Sequence, residues 1–248
     1  MTEFIEKIKD LGVGFTDPEI ARQVAEIELL DSIVQGQRLL ASAPGKLGLS
    51  DRKMGELSWE MSDEDYSRLK TLNKLFNNVR QYLSLQYGIW SVPNFETANL
   101  LKEELGVETA LEVMAGNAYW SKALSDAGVQ VWATDSLEWA KTSQTGSKPF
   151  YRVEDLPADQ AVKKYAAVDL ILCSWAPNFG QADLDLIQAQ QYYAPRAKLV
   201  FIGEKNGATN SSEFWQKNKF VKSDSLKKIN RSFKSYDFIK EQIFEVKQ

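Results

Sequence analysis

Two acids and the small residues between them are the part of this chain best suited to chemistry. Glu112 stands inside the apolar run from Ala110 to Met114, Ala115-Gly116-Asn117-Ala118 follows at once, and Asp135 closes the run from Gln130 to Thr134. A carboxylate about 20 residues beyond a small-residue turn is where a nucleotide-binding α/β sheet places an acceptor for ribose hydroxyls. The first acid discriminates between cofactors. A turn that receives pyrophosphate at the following helix N-terminus must be free of negative charge. Glu112, just before the turn, suits a ligand with a positive end instead. The Gly-x-Gly-x-x-Gly fingerprint of NAD sites is also unmet, because the chain reads Gly116-Asn117-Ala118-Tyr119-Trp120-Ser121.

With these residues in place, the stretch resembles the first motif of the class I S-adenosylmethionine-dependent methyltransferases. AGNAYWS is similar to the GAGTGYWA of a poorly characterised methyltransferase-like group. GIWSVPN (88–94) matches that group's lead-in, ILCSWAP (171–177) its WPP-like turn after a strand, and LVFIGE (199–204) its VGE. The likeness spans roughly residues 88–215. It implies an α/β, Rossmann-like class I methyltransferase fold: an open, mostly parallel seven-stranded sheet with helices on both faces, preceded by an N-terminal helical region. It further implies S-adenosylmethionine as cofactor. Asp135, with Ser136 beside it, would take the ribose hydroxyls, and Glu154 or Asp155 would lie near the adenine amine. Glu112 and the Ala115-Gly116 backbone would surround the methionine end, with Ala118 also in the cofactor turn. Of the aromatic residues, Tyr119 at the turn and Trp90 in the lead-in are expected in the pocket, and Trp120 and Trp139 in core and lid packing.

Two departures stand out: Met114 replaces a usual glycine, and Ala118 replaces the last glycine of the turn. Either Ala118 is right-handed here or cofactor affinity is weakened, since alanine tolerates positive φ poorly. They also leave open an alternative, a non-catalytic cofactor-binding or scaffold protein with a decayed methyltransferase fold. On the acceptor side the resemblance is looser. Ser174 and Asn178 flank the turn Trp175-Ala176-Pro177 and would hold an N or O nucleophile. Glu204, at the end of the fifth strand, would be a general base or pair with a lysine. In-line methyl transfer asks for alignment and exclusion of water rather than for a metal.

The elements that must position these residues are legible as alternating helices and short β-rich runs from Phe95 onward, the pattern of an open parallel sheet. Strands are expected at 110–114, 130–134, 150–153, 168–173 and 198–202, with one or two edge strands from the tail. Residues 1–86 carry helical periodicity only and are expected as a cap or dimerisation region, with 87–248 forming the cofactor-binding domain. Asp17-Pro18-Glu19 and Ser62 mark helix starts. Tyr66, Leu69, Leu72, Leu75, Phe76, Val79 and Leu83 form one apolar stripe. Residues 43–57, with Pro44, Gly45, Gly48 and Gly55, read as a connector.

Composition bounds the chemistry. The 248 residues are 44% hydrophobic and 11% aromatic, enough for a substantial core. There is no histidine and a single cysteine, Cys173, which removes imidazole catalysis, the usual zinc sets and any internal disulfide. With no signal-peptide or membrane-spanning pattern, the expected location is cytoplasmic and no membrane partner is expected. The formal charge of −4 does not favour nucleic acid as a partner. Locally, Lys217, Lys219, Lys222, Lys227, Lys228, Arg231 and Lys234 make segment 215–235 basic, which suits an anionic acceptor or a solvated face. The acceptor is otherwise open, small molecule or macromolecule.

Overall fold

The computed structural model describes residues 2–59, 61–138, 141, 145 and 148–247; Trp139 lies outside them. Among the described residues, six strands form one sheet in the order β3-β2-β1-β4-β5-β6. They are β1 (Thr109–Val113), β2 (Gln130–Asp135), β3 (Val153–Asp155), β4 (Leu170–Ser174), β5 (Lys198–Glu204) and β6 (Glu241–Glu245). The first five are parallel and β6 runs antiparallel to β5. The expected seventh strand is reduced to an isolated bridge, Phe220 to Val246. The chain around it is lysine-rich and leaves for a helix at once, so no ladder develops.

Alternation along the strands sorts the two faces. Ala110, Leu170, Leu172, Val200 and Ile202 pack beneath α6 (Phe95–Leu105), α7 (Tyr119–Asp126) and α11 (Asp224–Ser232). Leu111, Val113, Ile171, Cys173, Leu199 and Phe201 pack beneath α8 (Ala158–Lys164), α9 (Ala182–Tyr193) and α10 (Ser212–Lys217). This period of two is what a sheet buried on both faces requires. It also fixes Glu112 on the face that α7 covers.

Before the sheet come α1 (Glu3–Gly12), α2 (Pro18–Gln35), α3 (Asp51–Ser58), α4 (Asp63–Asn77) and α5 (Val79–Tyr87). Asp17 accepts from the amides of Glu19 and Ile20, and Ser62 from that of Asp65, the two expected starts. The apolar stripe is divided between α4 and α5 at Asn78, whose amide bonds back to the Leu75 carbonyl. These helices share a core with Tyr119, Phe150 and Tyr236, and so pack against the sheet's C-terminal edge.

Two local expectations are corrected. The connector at 43–57 contains α3, capped by Ser50 and burying no residue of its own, so apolar periodicity gave no sign of it. The strand expected at 150–153 begins at Val153. Phe150 instead donates its amide to the Asn117 carbonyl (2.8 Å) and tilts its ring against Tyr119 (4.2 Å).

Candidate functional site

Because β1 is flanked by β2 on one side and β4 on the other, the chain direction of the crossovers reverses at its C-terminal end. That is where an open α/β sheet leaves a crevice for ligands. A cleft of about 610 Å³ occupies the place, within the roughly 300–1,000 Å³ of small-molecule sites. The tips of β1, β2 and β4 line it, together with Ser84 and the lead-in Gly88, Ile89, Trp90 and Ser91.

Glu112 is 2% exposed. Its Oε2 accepts from the Ser121 amide (2.7 Å) and the Ser121 hydroxyl (2.5 Å) in the first turn of α7. Burial pushes its carboxyl up, the two Ser121 bonds pull it back, and the nearby Asp135 charge adds to the rise, leaving it at about 7. Asp135, 7% exposed, anchors two turns: Oδ2 accepts from the Gly116 amide and Oδ1 from the Leu137 amide, both at 2.8 Å. A carboxylate has about four acceptor positions, so each oxygen keeps one for a ligand hydroxyl.

The backbone between these acids is left-handed at residues other than glycine. Met114 has φ of 51° and Ala118 of 56°, with Leu137 (54°) and Trp175 (57°) in the same region. The right-handed alternative for Ala118 is thereby excluded. Left-handed alanine costs about 1–2 kcal/mol, a strain concentrated around the cleft as at many functional sites. Ala118→Gly should relieve it while losing a buried methyl worth about 0.8 kcal/mol, for a net gain of about 0.2–1.2 kcal/mol. Ala123→Gly in the interior of α7 has no strain to relieve and should cost about 1–2 kcal/mol. Urea unfolding of the two variants checks the contrast.

Of the residues singled out from the sequence, Glu112, Ala115, Gly116, Ala118, Tyr119, Asp135, Ser136, Trp90 and Ser174 all line the cleft. Tyr119 is fixed by donating its hydroxyl to the Arg38 carbonyl (2.6 Å). Trp120, expected as core, is buried and donates to Ser91 (3.1 Å), yet also contributes to the wall. Four others do not line the cleft. Glu154 is engaged by Lys164 and Tyr165, and Asp155 is the exposed last residue of the edge strand β3. Asn178 is exposed and outside the cleft lining, to which its neighbours Pro177 and Phe179 belong. Glu204 accepts from the amides of Ala208 (3.0 Å) and Lys240 (2.9 Å), which makes it a brace for the loop after β5.

The basic segment 215–235 contributes nothing to the cleft lining. Lys217, Lys227 and Lys228 pair with Glu213, Asp224 and Glu104. No lysine or arginine is among the described lining residues, whereas Glu112, Asp135 and Glu138 are, with Glu138 paired at the rim to Lys141. The segment therefore brings no positive charge into the cleft.

One group behind the cleft was not anticipated. Arg80 of α5 is 4% exposed and sits between two buried acids, with Nε to Asp237 Oδ2 at 2.7 Å, Nη2 to Asp237 Oδ1 at 3.0 Å and Nη1 to Glu241 Oε2 at 3.0 Å. It also donates to the Trp90 carbonyl and lies 4.8 Å over the Trp175 ring, whose Nε1 donates to Glu241 Oε1 (2.7 Å).

Comparison with solved structures places methyltransferases alongside this chain at low scores. One is a protein assigned as a type II methyltransferase from Anaeromyxobacter dehalogenans: 20% identity, TM-score 0.32, covering 42% of this chain and 46% of that one. The CcbJ methyltransferase from Streptomyces caelestis gives 18% identity and a TM-score of 0.36, covering 57% of this chain and 63% of that one. The mitomycin 7-O-methyltransferase MmcR gives 16% and 0.40, covering 93% and 69%. The first two are thus matched over less than two thirds of their own length. No family model matches the chain, and no curated protein does. At these scores the likeness carries no weight for the chemistry, which rests on the residues of the cleft. Among the described residues there is no cluster of acids and cysteine able to hold a metal, and no helix long and apolar enough to cross a membrane.

Proposed function

We propose that the protein is an S-adenosylmethionine-dependent methyltransferase acting on an N or O nucleophile. One observation carries the reading: two carboxylates, Glu112 and Asp135, flank a left-handed small-residue turn in a crevice with no basic side chain among its described lining residues. Such a donor and acceptor set fits a nucleoside bearing positive charge and repels one bearing phosphates. The turn also holds a buried polar atom, Asn117 Oδ1, with no hydrogen-bond partner among the described residues. Asp135 and Ser136 would take the ribose, and Glu112, Ala115 and Gly116 the methionine end. Bound there, the cofactor would supply an electrophilic methyl group for an in-line transfer. The protein's part is to align the nucleophile, for which Ser174 at the end of β4 is placed in the cleft, and to exclude water.

Calorimetry with S-adenosylmethionine, its demethylated product and NAD tests the cofactor. Binding of the first two and not of NAD is expected; NAD alone binding would overturn the reading. Asp135→Asn must set an amide NH₂ against one of two backbone N–H donors, since both oxygens accept. It should therefore weaken cofactor binding about 100-fold, the loss of a charge-assisted hydrogen bond in a buried site. The strained turn at Met114 and Ala118 keeps the non-catalytic alternative in view. Incubation with labelled cofactor and candidate acceptors separates them, a scaffold binding without release of demethylated product.

A further inference from the structure

Trp90 and Trp175 come from segments 85 residues apart, yet their rings stack at 5.3 Å and 17° in the cleft wall. Both are held from behind. Arg80 donates to the Trp90 carbonyl and lies over the Trp175 ring, and Glu241 accepts from the Trp175 indole. Tyr236 lies on Arg80 in turn, at 4.5 Å. Trp175 keeps a left-handed backbone, φ 57°, which a bulky side chain adopts only where its surroundings impose it. The pair is thus a built surface, and a pair serving only to fill the core would be buried. Trp90 is instead 49% exposed, and Phe179, across the same lining, is 77% exposed.

Position separates this surface from the cofactor residues. Glu112, Ala115, Gly116 and Asp135 belong to the tips of β1 and β2, while Trp175, Pro177 and Phe179 follow β4, and Trp90 stacks with the latter group. Charge then bounds what settles there. With three acids and no base among the described lining residues, and with the nearby Lys141 and Arg80 already paired to acids, an anion finds no unpaired positive charge there. An indole face, electron-rich, favours electron-poor or cationic rings.

Resting on the cofactor reading above, the geometry points to a nitrogen-containing aromatic small molecule, without carboxylate or phosphate, as the methyl acceptor, its ring laid on Trp90. This reassigns Trp90 from the cofactor to the acceptor.

Titration of the full chain, saturated with S-adenosylhomocysteine, with quinoline and with naphthoate tests it by calorimetry or ligand-observed NMR. The two probes share a fused two-ring aromatic frame and differ in the ring nitrogen and in naphthoate's carboxylate. Quinoline should bind at least about 10-fold more tightly than naphthoate, Trp90→Ala should weaken it about 10-fold, and Trp90→Phe should retain most of the affinity, as ring stacking predicts. Equal binding of naphthoate, or undiminished quinoline binding in Trp90→Ala, overturns the inference while leaving the cofactor reading intact. Failure of S-adenosylhomocysteine to bind the unaltered chain overturns the cofactor reading and the acceptor assignment with it. If Trp90→Ala does not fold, the comparison of the two probes on the unaltered chain decides alone.

Discussion

Arg80→Met is expected to destabilise the protein by about 3–5 kcal/mol, the cost of leaving buried acids without their counter-ion. Asp237 and Glu241 are both nearly inaccessible, and the arginine is bidentate to the first. Methionine fills much of the volume, so the loss is chiefly electrostatic and not a cavity term. Denaturant unfolding at neutral pH measures it. Adding Asp237→Asn and Glu241→Gln to Arg80→Met should recover a large part of the loss, because neutral amides need no counter-ion. A triple variant as unstable as the single one would show that packing, not charge, is the arginine's contribution. The same substitution releases the Trp90 carbonyl and the underside of Trp175, so the acceptor wall should loosen along with the fold.

The difference between what the sequence discloses and what it hides follows from how far apart the partners are. Glu112, Gly116 and Asp135 belong to one β-α-β unit, in which strand period and turn composition dictate where each residue must emerge. Ser174 and Trp90 follow from the same logic, as a residue at a strand end and one in the lead-in to a helix. Arg80 meets its acids 157 and 161 residues later, a pairing no local pattern encodes. One sign was available: Arg80 lies four residues after Phe76 and three before Leu83, inside the apolar stripe, where a charge must find a buried partner. Glu204 misled for a related reason. It does end β5, but the loop after it turns back, and the amides of Ala208 and Lys240 occupy its carboxylate. Glu154 is likewise drawn away by Lys164 and Tyr165 on the far side of β3. Strand ends can be read from sequence, whereas the loops that compete for their side chains cannot.

Glu112→Gln should separate the electrostatic part of the cofactor site from its shape. The amide oxygen can still accept from the Ser121 amide and hydroxyl, so the geometry at the start of α7 is retained and only the ionisable group is removed. In the unaltered protein the Glu112 carboxyl rises from an ordinary 4.5 to about 7, chiefly through burial. A raised carboxyl binds its proton more tightly folded than unfolded, so this site's contribution is complete below pH 4.5 and is lost as pH climbs to 7. At about 1.4 kcal/mol per pH unit the loss is roughly 3 kcal/mol. Glu112→Gln should therefore match the parent near pH 4.5 and exceed it by up to roughly 3 kcal/mol above pH 7. Comparing the two proteins cancels every other titrating group. Cofactor binding should move the opposite way. A cationic ligand favours the ionised carboxyl, so the parent's affinity for S-adenosylmethionine should climb with pH through about 7, while the variant binds more weakly and with little pH dependence. A more stable apo protein that has lost its cofactor is what a site built on a buried charge predicts; parallel pH profiles for the two proteins would mean that Glu112 holds α7 and nothing else.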